Sequence, residues 1–145
     1  MKTLRIDPAT ADLAALVERG TELHGHLGPF LVAGIRMGLL ALGELKNSGY
    51  FGLRAESEAG RKTPLSCLND GVQIGSGCTA GKGNLEIVSA GKARVRFVAD
   101  DGGEIAIELR QEMVDSFHGV DPIVRAREIT SLSDEDLFTW TTSSP

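Results

Sequence analysis

The segment from Phe30 to Leu45 constrains the fold most, because it is apolar on nearly every side of a helical projection. Arg36, Glu44 and several glycines interrupt it, so it is too short and too broken for a membrane span. Pro29, just before it, suits the first turn of a helix. A helix that is hydrophobic all round must be covered by other elements. We therefore expect a buried central helix in a globular domain.

Small residues form a ridge on this helix, at Gly34, Gly38 and Ala41. Such a ridge lets a second helix approach closely. The sequence leaves two interpretations open. The ridge packs against another helix of the same chain, or it forms the contact surface of a homodimer.

Alternating apolar and polar residues predict β-strands in the middle of the chain. The pattern runs from Phe51 to Ala59, recurs at residues 85–87, and then covers 93–97 and 104–108 around the turn at 100–103. The last two segments are typical of a β-hairpin. Its polar face should carry two arginines opposite two glutamates, pairs worth only a few tenths of a kcal/mol each. We interpret this face as solvated.

Helices are predicted on both sides of these strands. The first follows Asp7 and Pro8 and ends near Leu23, and the later ones cover residues 109–117, 121–127 and the segment after Ser133. Ser133 and Asp136 resemble a capping box ahead of Leu137, Phe138 and Trp140. The order of elements predicts an α+β fold, with an antiparallel β-sheet packed against helices in a single domain over residues 1–145.

Composition excludes some functional classes. A formal net charge of −5, a pI near 5.2 and the lack of a local basic cluster argue against nucleic acid as a partner. The N-terminus lacks the apolar segment of a secretory signal, which predicts a cytoplasmic protein without a membrane partner. In that compartment the two cysteines are expected to be thiols.

Two of the three histidines, His24 and His26, lie one residue apart in Leu23–Pro29. Residues at i and i+2 share a side only when the backbone is extended, and Gly25 with Pro29 favours a break in the helix there. Without further evidence, a histidine that caps the preceding helix explains the pattern equally well.

Both cysteines, Cys67 and Cys78, lie in a glycine-rich segment. Their spacing matches no zinc finger, and lone cysteines are usually small buried apolar residues. Asp70, however, lies one turn from Cys67 on the same face of a predicted helix. We predict that Cys67 and Cys78, with His24, His26 or both, bind a metal ion, most readily Zn²⁺. Asp70 or a spare histidine would then orient a ligand or move a proton.

The loop from Gly77 to Asn84 resembles a phosphate-binding loop but lacks its defining residues, since Ser76 and Gly83 stand at required positions. An anion-binding turn with Lys82 as counter-charge and catalytic partner is one interpretation. A glycine turn whose lysine faces water is the other. His118, before Gly119, is interpreted as a helix-end histidine.

Four segments together resemble the FmdE family, named for the FmdE polypeptide of formylmethanofuran dehydrogenase. The segments are His24–Pro29, Gly34–Gly38, Cys67–Gln73 and Gly77–Leu85. The similarity then continues to Leu137 and Phe138. Many members carry a cysteine where this chain has Gly28, and many end in a zinc-ribbon domain whose paired C-x-x-C motifs do not occur in residues 1–145. The resemblance implies a site at these segments, a homodimer, and a link to the reduction of CO₂ to a formyl group.

That redox reaction needs a molybdenum or tungsten pterin and iron–sulfur clusters, which two cysteines cannot ligate. The first hypothesis is therefore an accessory subunit of a larger redox complex, or a stand-alone relative that acts on a small carbonyl or formyl ligand at a His/Cys metal site. A non-catalytic metal carrier or sensor is the second. The third is a hydrolase with Cys67 as nucleophile and the glycine-rich loop as oxyanion hole. Whether the chain is an enzyme stays open at this stage.

Overall fold

The computed structural model describes residues 3–145, and in that range it confirms an α+β domain. The helices are α1 (Leu13–His24), α2 (Pro29–Leu45), α3 (Cys67–Ser76), α4 (Gln111–Asp115), α5 (Pro122–Thr130) and α6 (Asp134–Leu137). The strands are β1 (Leu53–Ser57), β2 (Leu85–Ile87), β3 (Arg94–Ala99), β4 (Glu104–Leu109) and β5 (Phe138–Ser143).

The strands form one sheet in the order β2-β1-β3-β4-β5. Every neighbouring pair is antiparallel except β1 and β2, which run parallel. The predicted hairpin is β3–β4, and Arg94 lies opposite Glu108 in it. On the polar face Arg96 forms an ion pair with Glu104. Arg94 lies 3.9 Å from its expected partner Glu108 and closer, at 2.7 Å, to Glu58 of the neighbouring segment. The other face of the sheet is buried.

Helix α2 is the buried centre predicted from the sequence, with side chains such as Leu31, Ile35 and Met37 fully enclosed. Although it is apolar, none of the helices within residues 3–145 is long and apolar enough to span a bilayer. The sheet covers part of α2, and α3 covers another part.

The small-residue ridge of α2 faces α3 of the same chain. A Cβ atom added to Gly34 would overlap the carbonyl oxygen of Leu68, and one added to Gly38 would overlap the backbone of Gly75. The packing of Gly34 and Gly38 within the chain is therefore confirmed. This close approach fixes where α3, and with it Cys67, lies relative to the helix that follows the histidines.

The predicted C-terminal helix is wrong beyond Leu137. Ser133 caps α6 as expected, since its Oγ accepts from the backbone N–H of Asp136 at 3.1 Å. Phe138 and Trp140, however, belong to β5, which pairs with β4. Threonine and tryptophan, which fill residues 139–142, favour strands, and the free edge of β4 supplies hydrogen-bond partners that a longer helix would leave unused.

Candidate metal centre

The two histidines lie where α1 ends and α2 begins, as the glycine and proline pattern predicts. His24 is the last residue of α1, and Gly25 ends the helix with a φ of 95°. Its N–H donates to the carbonyl oxygen of Thr21 at 2.8 Å. The φ of Gly25 is in the left-handed region, which favours glycine. The chain then turns through His26 before Pro29 starts α2, so the imidazole centroids lie 4.6 Å apart.

Three potential metal ligands converge at this turn. Atoms of His24, His26 and Cys67 lie within 4.8 Å of one another. Cys67 is the first residue of α3 and is 8% exposed, whereas His26 is exposed. The group thus offers two imidazole nitrogens and one sulfur from two segments that are distant in sequence.

Asp70 orients His24. Nδ1 of His24 lies 2.6 Å from Oδ2 of Asp70, which is a hydrogen bond from the ring to the carboxylate. A proton on Nδ1 leaves a lone pair on Nε2. Nε2 is buried and has no hydrogen-bond partner among residues 3–145. A carboxylate that holds the far nitrogen of a histidine is the usual support of a metal-binding imidazole.

The thiol of Cys67 is held in its neutral form when no cation is near. Burial raises its pKa above the ordinary value, and the negative charge of Asp70 raises it further. A metal ion would reverse this preference, because the thiolate is the metal-binding form. The same shift disfavours a free thiolate nucleophile at neutral pH.

A cavity of about 110 Å³ opens onto these groups. Its walls are mostly apolar, and Phe117 contacts Phe30 edge to face with centroids 5.0 Å apart. His118 also lines the cavity, a position that its isolated place in the sequence did not reveal. The lining residues are His24, His26, Gly28, Pro29, Phe30, Leu31, Pro64, Cys67, Phe117, His118 and Pro122.

The structure does not bring Cys78 to this cluster. Cys67 begins the ten-residue helix α3 and Cys78 lies two residues beyond its last residue, Ser76, so about 15 Å of helix separates them. Cys78 is fully buried, and its thiol donates to the carbonyl oxygen of Leu53 at 3.8 Å. Burial raises the pKa of Cys78 as well. Its environment is that of a small core residue.

Lys82 also lies at the far end of α3. Its Nζ donates to the carbonyl oxygen of Gly77 at 2.6 Å and to Oγ1 of Thr79 at 3.0 Å. The same ammonium lies 5.5 Å from the centroid of the Phe51 ring. These contacts close the glycine-rich loop on itself. Of the two residues predicted to act beside the metal, Asp70 contacts the cluster and Lys82 does not.

Comparison with known proteins gives three results. A family model described as FmdE, Molybdenum formylmethanofuran dehydrogenase operon, matches residues 23–139. A protein of Archaeoglobus fulgidus named probable S-adenosyl-L-methionine-binding protein is 32% identical over 93 residues, which is 59% of this chain and 24% of that relative. The chain therefore spans about a quarter of the relative's length.

The third result is structural. The crystal structure of a tungsten formylmethanofuran dehydrogenase FmdE-like protein from Syntrophus aciditrophicus matches with a TM-score of 0.65 and 20% identity. The match covers 99% of this chain and 78% of that one. At this identity the likeness shows a shared fold.

Proposed function

This chain belongs to the FmdE family, and from that premise we propose that it is a metal-binding protein that holds one transition metal ion, most readily Zn²⁺, through His24, His26 and Cys67. Two observations carry the proposal: ligand atoms of these three side chains lie within 4.8 Å of one another, and Nε2 of His24 is buried without a hydrogen-bond partner among residues 3–145. We leave Cys78 out of the ligand set.

The donor chemistry fits the ion. Imidazole nitrogen and thiolate sulfur are the ligands that Zn²⁺ takes most readily, and hard cations such as Mg²⁺ prefer oxygen. The thiolate of Cys67 and the carboxylate of Asp70 would offset the two positive charges of the ion. A neutral group of this kind is far easier to keep in a partly buried site than an unpaired charge.

Three protein donors leave a fourth tetrahedral position for a small ligand. We propose that this position faces the apolar cavity and takes a carbonyl or formyl oxygen. When bound, the ion supplies Lewis acidity there. Pro29, Phe30 and Phe117 give the cavity apolar walls, and Asp70 forms a hydrogen bond with the imidazole of His24. His118 lines the same cavity, and we propose that it exchanges a hydrogen bond with the ligand.

A metal carrier or sensor is the second candidate, and His118 is the observation that favours it. His118 lines the same cavity as the cluster, so a shift of its loop toward the ion would supply a fourth protein ligand. The two functions differ in the response of Co²⁺-loaded protein to acetohydroxamate. A changed visible spectrum supports an open position, and an unchanged one supports a site filled by protein.

The family link also favours association with a formylmethanofuran dehydrogenase complex, in which other subunits would carry the redox cofactors. This proposal is tested by native purification from a cell that makes both this chain and a formylmethanofuran dehydrogenase. Recovery with molybdenum- or tungsten-containing subunits supports an accessory role, and recovery alone supports a stand-alone relative.

The name of the Archaeoglobus relative makes S-adenosyl-L-methionine a further ligand to test. Sites for molecules of that size usually enclose about 300–1,000 Å³. The cavity beside the cluster is smaller, at about 110 Å³. This cavity alone is therefore too small to enclose the compound, and calorimetric competition with acetohydroxamate measures whether it reaches the cluster.

The metal proposal is tested by elemental analysis of tag-free protein beside Cys67→Ser and Cys78→Ala variants. About one metal ion per chain is expected in the wild type and in Cys78→Ala, with loss in Cys67→Ser. Loss in both variants would make Cys78 a ligand. Wild-type protein that stays empty after incubation with zinc, nickel and iron contradicts the proposal.

A further inference from the structure

A second opening reaches the same cluster from a different set of residues. His24 and Cys67 also line a groove of about 220 Å³ whose other residues are mostly polar. It shares Arg61 and Thr63 with a larger surface groove of about 580 Å³ that Lys62 also lines. We call these two neighbouring openings, which both border Arg61, the Arg61 groove. The residues of its inner part are His24, Gly60, Arg61, Thr63, Ser66, Cys67, Asn69, Asp70 and Ile87.

The loop that carries Arg61 is fixed to α3 by a buried hydrogen-bond network. The side-chain amide of Asn69 donates to the carbonyl oxygen of Gly60 at 2.8 Å. The hydroxyl of Ser57 donates to Oδ1 of Asn69 at 2.5 Å. Both side chains are buried, so these bonds are protected from water. The backbone of Arg61 is therefore held at a fixed distance from Cys67, the first residue of α3.

Arg61 and Lys62 place positive charge along this groove of an acidic protein. Ion pairs engage Arg36, Arg94, Arg96 and Arg125, but within residues 3–145 neither Arg61 nor Lys62 forms one. Asp70 lines the inner part of the groove, but its Oδ2 already accepts a hydrogen bond from His24. Two cations on a fixed loop are thus left beside a metal-ligand cluster.

A guanidinium in this position favours an oxyanion. Arginine presents a planar fork that matches carboxylate and phosphate oxygens, and such charge-assisted hydrogen bonds are stronger than neutral ones. His24 and Cys67 line both the groove and the apolar cavity, so both openings border the proposed metal ligands.

We propose that the Arg61 groove binds the anionic end of the ligand whose other end reaches the metal. The ligand class is then a small molecule with a carbonyl-type donor at one end and a carboxylate or phosphate at the other. This inference rests on the proposed metal-binding function and adds the substrate class. It makes Arg61 a specificity-determining residue.

The test uses three hydroxamates of similar length on zinc-loaded protein, because the hydroxamate group binds the metal in each. Pentanohydroxamate has a neutral tail, the monohydroxamate of succinate ends in a carboxylate, and 3-phosphonopropanohydroxamate ends in a phosphonate. Titration calorimetry should give dissociation constants about tenfold lower for a charged tail than for the neutral one. The better of the two charged tails identifies the oxyanion.

Variants assign the preference to Arg61. Arg61→Gln should bring the charged probe to within about twofold of the neutral one, and Arg61→Lys should retain part of the difference. The control is Arg127→Gln, which changes an exposed arginine of α5 that does not line the Arg61 groove. It should behave as the wild type.

The two proposals fail differently. Equal binding of all three probes to zinc-loaded wild type, or an unchanged preference in Arg61→Gln, overturns the groove inference and leaves the metal site intact. Wild type that holds no zinc, or zinc protein that binds none of the probes, contradicts the proposed function and removes the inference with it. Zinc content measured for every sample separates these outcomes.

Discussion

Replacing Asp70 with asparagine probes the contact that links α3 to the histidines. Loss of a carboxylate behind a metal-binding histidine typically weakens metal affinity about 10–100-fold, or about 1.4–2.7 kcal/mol. Two features place Asp70→Asn near the lower limit. The amide oxygen can still accept from Nδ1 of His24, and the Asp70 side chain is 37% exposed, so solvent screens part of its charge. We expect zinc binding about tenfold weaker.

A second effect of this substitution has the opposite sign. The charge of Asp70 raises the pKa of the Cys67 thiol, so removing it makes the thiolate easier to form. That change alone would tighten zinc binding at neutral pH. Burial is the larger cause of the raised pKa and is unaffected, whereas the 2.6 Å contact with His24 is lost or weakened. The net result should therefore be weaker binding.

The assay is competition for zinc with a chromophoric chelator at neutral pH, and circular dichroism verifies folding. Asp136→Asn, on the exposed side of α6, is the matched control and should bind as the wild type. Asp70→Ala should approach the upper limit of the range, because it leaves the partly buried Nδ1–H group of His24 without its acceptor. Wild-type affinity in both Asp70 variants would refute the role of this residue.

Three further predictions follow from particular contacts. Gly34→Ala should lower the free energy of unfolding in urea by about 1–3 kcal/mol, since its Cβ overlaps the carbonyl oxygen of Leu68, and an unchanged value would contradict the close α2–α3 contact. Gly28→Cys places a Cβ 3.4 Å from Cε1 of His26, so zinc should leave more slowly to a chelator while acetohydroxamate binds more weakly; unchanged rates and affinities would count against it. Burial raises the pKa of both thiols above 9.0, the value in the unfolded chain, so the folded state keeps these protons to a higher pH. The free energy of unfolding of metal-free protein should therefore fall as the pH rises above about 9, and a free energy from urea unfolding that does not change over this range would contradict the prediction.

Local patterns in the sequence predict much of the scaffold. The apolar run after Pro29 predicts the buried helix α2, and alternation around the turn at 100–103 predicts the β3–β4 hairpin. Gly25 and Pro29 predict the break between α1 and α2. Each signal lies within a few residues of the structure it produces, so no knowledge of tertiary packing is needed.

The arrangement around the cluster depends on packing and could not be predicted in the same way. Asp70 contacts His24 across 46 residues because glycines let α2 and α3 approach closely. Cys67 and Cys78 look close in sequence, but a helix converts the interval into about 15 Å. His118 reaches the cavity through the contact of Phe117 with Phe30, which no local pattern encodes.

The most direct test of the central claim is X-ray absorption at the zinc edge of the metal-loaded protein. The proposed ligand set predicts one sulfur at about 2.3 Å and three lighter nitrogen or oxygen neighbours at about 2.0–2.1 Å. Two of the lighter neighbours should show the outer-shell scattering of imidazole, in accord with His24 and His26. A spectrum with two sulfur neighbours, or one without imidazole scattering, would contradict a site formed by His24, His26 and Cys67.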